Sequence, residues 1–384
     1  MKPILYIPLL PALMLAACSS NTIKAEDHSD FHSHGSGFDL GLFYDGAVED
    51  HSIVDCTLSD GTETSCYEIT IAGYPVNHDI GPFCPETITT TADEAGIWLD
   101  GKAVYDADGA FIVSLAELYS DPNWKMYDED GNVYITDTEE AFEAAARPDV
   151  DPAYQNHCVE GRMAWLANGE PVTTTVVLPV EPVLADRTSS GGNWGITLNG
   201  VVIAASAPVD TILSAYTIAT FDDCGGHINP FDGYHLHGAR GCSEVGNAED
   251  GETPIFAYAM DGFPIHSALS SEATETANLD ECNGHETHSD GYHYHANTAE
   301  KNSVLTCFKG LTVASNQGDQ GGPVNGAGGA PDFSAAADQL GVTEHELQDA
   351  LGMPPNFSNA AQTLGVSEAE LIDALGDDLP QPPQ

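Results

Sequence analysis

The chain has 384 residues, 60 acidic against 10 basic side chains, a net charge of -50, 15 His and 9 Cys. That charge excludes nucleic acid and anionic lipid surfaces as electrostatic partners, and a hydrophobic share of 42% excludes wholesale disorder. The length fits two domains, or one large β unit of roughly 200–250 residues with further segments.

In chain order, residues 1–17 read as a signal peptide: Lys2, then an apolar run to Ala17 that is too short and too Pro-interrupted for a stable membrane span. The run ends in Leu15-Ala16-Ala17-Cys18, which resembles the lipobox of bacterial lipoproteins. The resemblance implies lipidation of Cys18, a lipid anchor in a bacterial membrane as partner, and a place in the cell envelope. Ser19 after the cysteine points to the outer rather than the inner membrane. Residues 18–39 form a polar tether with His28, His32 and His34.

Residues 40–315 carry strand-length runs bounded by Gly, Asn, Asp or Pro: Tyr67–Ala72, Thr173–Pro179, Trp194–Ala204 and Ile255–Ala259. Short helices are predicted at Ser114–Ser120 and Glu139–Ala146. The expected fold class is therefore mainly β, a β-rich α+β domain. Asp106–Gly109 and Asp128–Gly131 fail the calcium-loop pattern, because Val104 and Met126 fall on the first ligand position; both read as turns. Residues 316–332 form a Gly/Pro-rich linker. Residues 333–384 hold a repeat at an offset of 24, whose two copies read as paired helical units with capping boxes at Thr343/Glu346 and Ser367/Glu370.

Without Cys18, eight cysteines remain, an even number in an exported chain, which reads as disulfides rather than thiolate ligands. Cys224 and Cys282 occupy the same place in a duplicated motif, so Cys224–Cys242 and Cys282–Cys307 are expected pairs. Cys56–Cys66 and Cys84–Cys158 are the remainder.

That motif is the strongest feature of the chain. Residues 222–238 (DDCGGHINPFDGYHLHG) and 280–296 (DECNGHETHSDGYHYHA) align without a gap at an offset of 58, identical at nine of seventeen positions. In each copy Asp-Gly opens a strand whose alternation points two histidines to one face: His235 with His237, and His293 with His295. His227 and His285 precede the turn by enough residues to fold back beside the strand. Three imidazoles per copy suit a divalent transition metal, copper or zinc foremost. Asp222, Asp223, Asp280, Glu281, His288 and His266 are candidate extra ligands or orienting partners. Facing copies would share one ion or hold two neighbouring ones. His78 and His157, each beside an Asn, are read as a second site or as packing.

The string Gly291-Tyr292-His293-Tyr294-His295 resembles the signature of the YHYH-domain family of exported bacterial proteins. GITLNGVV at Gly195–Val202, AMDGFPI at Ala259–Ile265, both DxCxGH stretches and Cys307-Phe308-Lys309-Gly310 resemble it too. The resemblance covers about residues 190–310, with weaker echoes at Ile80–Pro85 and Asn156-His157-Cys158, and it implies no settled activity. Leu236 departs from it, where the second copy has Tyr294. Function is thus expected to be metal binding for sequestration or delivery. A metal-dependent hydrolase or oxidoreductase stands as one alternative, and an adhesion module with a structural metal as another. The sequence names no protein partner and does not decide whether the chain is an enzyme.

Overall fold

The computed structural model describes residues 38–146, 150–166, 169–229, 232–246, 253–287 and 291–314, with short runs and single positions between 339 and 374. Cys18, His288 and nearly all of the repeat at 333–384 lie outside the described residues. Among the described residues no helix is long and apolar enough to cross a membrane.

The chain opens with a long hairpin, β1 (Val48–Thr57) and β2 (Glu63–Ile71), followed by a short one, β3 (Ile97–Leu99) and β4 (Val104–Asp106). Helix α1 (Gly109–Leu118) starts five residues before the sequence expectation. The Asp108 carboxylate accepts from the Phe111 amide at 2.7 Å, an N-cap worth about 1 kcal/mol. The Asp-Gly pair read as a simple turn is thus a helix start. The other acidic stretch is a turn, with Asp128 accepting from the amides of Asp130 and Asn132. Helix α2 (Glu139–Ala145) lies where expected.

Then come β5 (Cys158–Val159), β6 (Thr174–Pro179) and β7 (Leu184–Ser189). The run Trp194–Ala204, expected as one strand, is a hairpin of β8 (Asn193–Thr197) and β9 (Val202–Ala204). Gly200, at φ 93°, supplies the left-handed residue of its turn. Helix α3 (Val209–Ser214), β10 (Ile218–Ala219), β11 (Gly226–Asn229) and β12 (Gly233–Leu236) come next. The order then repeats: β13 (Ile255–Ala259), β14 (Pro264–His266), α4 (Ser271–Thr276), β15 (Gly284–Thr287) and β16 (Gly291–His295), before β17 (Phe308–Gly310).

Eight of these strands form one sheet, in the order β11-β12-β9-β8-β13-β14-β16-β15. The order is symmetric about the β8–β13 seam, which is antiparallel. On each side an inner hairpin pairs in parallel with an outer hairpin, β9 with β12 and β14 with β16. The duplication is therefore a whole half-sheet of four strands and a helix. Asn193 and Ile255, Val202 and Pro264, and Val209 and Ser271 begin matching elements, each 62 residues apart. Few identities survive in the inner hairpins, but Gly262 (φ 85°) matches Gly200 at the turn.

A three-stranded sheet, β1-β2-β6, brings Ile69, Ile71, Val176 and Leu178 into the same core as Trp194, Ile196, Phe256, Tyr258 and Ile265 of the central sheet. A second core gathers α1, Trp98 and Phe221; the latter two rings stack at 6.4 Å, and Ile97 and Phe221 exchange backbone hydrogen bonds. This bridge ties the β3 segment to the chain just before the first hairpin motif. The four expected disulfides are present: Cys56–Cys66, Cys84–Cys158, Cys224–Cys242 and Cys282–Cys307.

Candidate metal centres

Each outer hairpin gathers three imidazoles on one face. In antiparallel pairing, residues directly opposite share a face, and His227 pairs with His235 as His285 pairs with His293. Alternation along the strand then adds His237 and His295 to the same face. The Nε2 atoms of His227 and His235 are 3.0 Å apart, and those of His227 and His237 3.2 Å. The second hairpin repeats both distances, 3.0 Å for His285 and His293 and 3.2 Å for His285 and His295. All donors of a triad lie within 4.8 Å of one another. A tetrahedral ion with bonds of about 2.0–2.1 Å to nitrogen sets its donors about 3.3 Å apart, so each triad has the dimensions of a metal site. The His triads can hold a metal ion.

The outer ring nitrogens explain the aim. In the second hairpin, Nδ1 of His285 donates to the Ala277 carbonyl (2.9 Å), that of His293 to Gly291 (3.2 Å) and that of His295 to Ser267 (3.2 Å). Carbonyls only accept, so a neutral ring carries its proton on Nδ1 and turns a lone pair inward. Three lone pairs facing one another repel unless a cation lies between them. In the first hairpin, Nδ1 of His235 donates to Gly233 and that of His237 to Ala205, the counterpart of Ser267. His227 is held instead against the Phe221 ring at 4.8 Å. Burial lowers the pKa of all three: His227 well below its ordinary value, His235 less so, and His237 to about 3 with help from the charge of His235. These rings stay neutral, as metal ligation requires.

The other face explains the remaining identities. Asp222 accepts at Oδ1 from the amides of Cys224 (3.0 Å) and Gly226 (3.1 Å) and at Oδ2 from the Tyr234 hydroxyl (2.8 Å). Asp280 does the same with Cys282, Gly284 and Tyr292. A Cβ on Gly226 would stand 2.3 Å from the Tyr234 hydroxyl oxygen, and one on Gly284 2.0 Å from that of Tyr292, so only glycine lets the tyrosine cross to its aspartate. Asp222 and Asp280 brace the turn and are not among the gathered donors. Asp223 offers its backbone carbonyl to Arg240, and Glu281 pairs with Lys309 at 3.9 Å.

The expectation that both copies face one another across a shared ion is overturned. β12 and β16 are separated by β9, β8, β13 and β14, so the triads lie about 24 Å apart along the sheet, five steps of about 4.8 Å. The duplication produced two candidate sites, one per edge hairpin. Sheet order, which nothing local in the sequence specifies, decides this.

His266 belongs to the second site. β14 pairs it with His295, its ring lies 4.4 Å from that of His293, and its Nδ1 donates to the Thr253 carbonyl at 2.6 Å. It flanks the triad without joining the gathered donors. Its counterpart in the first half is Ala204, and sequence alone suggested only that His266 might reach the site. Tyr294 points away from the histidines; its hydroxyl donates to the buried Asp261 and accepts from the Lys309 amide. His157 packs between Tyr134 and Tyr154, and His78 stands beside the Cys224–Cys242 disulfide, so the two form no joint site.

Residues 175–278 match the family model described as YHYH protein. The chain carries a YHYH domain. The YHYH match takes in the three-histidine hairpin of the first half and stops ahead of the Tyr-His-Tyr-His string of the second. No curated protein and no solved structure matches the chain.

Proposed function

We propose that this is an exported, lipid-anchored protein of the bacterial cell envelope that binds two transition-metal ions, copper or zinc, for sequestration or delivery. The observation that carries the reading is the second hairpin, where three imidazoles are each committed by a carbonyl to turn an unprotonated Nε2 toward the same point. An all-imidazole set favours copper and zinc over harder cations. Within each triad two rings are buried, while His227 and His285 are half-buried and give an ion its way in. Four disulfides support an oxidising compartment.

Three donors leave one coordination position, which a hydrolase or oxidoreductase would use. Storage is favoured because, among the described residues, no carboxylate is gathered with either triad. The test is elemental analysis of untagged protein after reconstitution with copper or zinc. Two ions per chain are expected, and none bound would overturn the reading. For the anchor, wild type should take up a labelled fatty acid and Cys18→Ala should not.

A further inference from the structure

Away from both triads, the Cys224–Cys242 disulfide has a histidine beside it. His78, between β2 and β3, places a ring nitrogen within 4.8 Å of both sulfurs. Among the described residues no other disulfide has a histidine nitrogen that close to both of its sulfurs.

A chain of directed hydrogen bonds fixes which nitrogen carries the proton. The Thr197 hydroxyl donates to Asn199 Oδ1, so Asn199 Nδ2 donates to Asn77 Oδ1 at 2.9 Å. Asn77 Nδ2 in turn donates to the Cys242 carbonyl at 2.8 Å. Asn77 Oδ1 is therefore an acceptor, and His78 Nδ1 must donate to it, at 2.8 Å. The remaining atom, Nε2, is a buried lone pair with no hydrogen-bond partner among the described residues. A buried acceptor without a donor is destabilising, and a disulfide has no proton to offer it. The thiol formed by opening that disulfide does.

We propose that Cys224–Cys242 is a redox-active pair, opened by a dithiol, with His78 Nε2 as the acceptor of a thiol proton. A thiolate of the dithiol attacks Sγ of Cys242, the less buried residue of the pair, forming a mixed disulfide as the Cys224–Cys242 bond breaks and Cys224 leaves with the electron pair. The second thiolate of the reductant then closes on its own sulfur and expels Cys242. The dithiol loses two electrons and two protons, and the protein gains them. One proton rests on His78 and the other on the second sulfur. Pro75, His78, Arg240 and Cys242 line a small cleft beside the pair, and a guanidinium and an imidazolium nearby favour the thiolate. The proposal stands independently of metal binding at the triads.

The test is equilibration of the metal-free full chain in graded ratios of reduced to oxidised dithiothreitol, followed by alkylation and peptide mapping of all four disulfides. Cys224–Cys242 should open at a ratio roughly tenfold less reducing than the next pair. His78→Phe should move that pair alone by roughly tenfold toward more reducing ratios, about 30 mV for two electrons, without lowering the stability of the oxidised protein. His78→Gln, which keeps an acceptor, should fall between and serves where the phenylalanine variant does not fold. Opening of this pair together with or after the others would overturn the proposal. So would an unchanged midpoint in both variants, or a shift of all four pairs alike, which is what a merely structural role would give.

Discussion

Replacing His285 with alanine takes one donor from the second hairpin and leaves the first intact, so the two sites can be counted separately. With metal at a thousandfold above its dissociation constant, one occupied site adds about 4 kcal/mol to folding. At about 2–4 °C per kcal/mol for a body of this size, that is a shift of about 8–16 °C in melting temperature. Coupling between the sites should be small. Two divalent ions about 24 Å apart in water repel by about 0.7 kcal/mol, and at half that separation by about 1.4 kcal/mol, before salt screens them. His285→Ala and His227→Ala should therefore each lower bound metal from two ions to one and remove about half of the metal-dependent stabilisation. The double variant should bind none. Calorimetry with and without metal, alongside elemental analysis, reads both quantities. A single variant that loses both ions, or neither, would refute the two-site geometry.

The buried histidines of the first triad make the metal-free protein sensitive to acid. Their pKa values are lowered by the fold, so below about pH 6.5 the unfolded chain takes up protons that the native state refuses. Stability should be full above that pH and fall toward pH 3, by up to about 1.4 kcal/mol per pH unit for each histidine involved; denaturant melts at pH 7.5, 6 and 5 check this. Gly226→Ala should cost about 2 kcal/mol or more, and Tyr234→Phe should not rescue it, because the added Cβ would also meet the ring carbon Cζ at 2.4 Å; urea midpoints of the single and double variants decide. Asp280→Ala should destabilise by about 1–3 kcal/mol by orphaning two amides and a hydroxyl, and should lower metal retention at the second site while leaving one ion in the first.

Much of the site was legible because it is local. Strand alternation places His235 with His237, and a turn opened by Asp232-Gly233 folds His227 back opposite His235. The disulfides could be read from the matched positions of Cys224 and Cys282. The full extent of the duplication was not legible, because the connection between helix and motif has seven residues in one half (215–221) and three in the other (277–279), so the spacing drifts from 62 to 58. Inner-hairpin positions such as Trp194 and Phe256 need only to be apolar, and such positions lose identity while keeping their place. The start of helix α1 was hidden because Asp108-Gly109 carries the same letters as a turn and differs only in the apolar residues after it.

Placing each triad on an edge hairpin, with the seam between β8 and β13 in the middle, separates what the two halves must share from what they are free to change. The seam and its core must fit each other, so neither half can alter there without answering to its twin. The rims answer to nothing on the far side. The first rim has Ala204, Leu236 and a phenylalanine against its histidines; the second has His266, Tyr294 and a buried aspartate. A gene that doubled one three-histidine hairpin thereby acquired two that can drift apart, each change confined to its own edge.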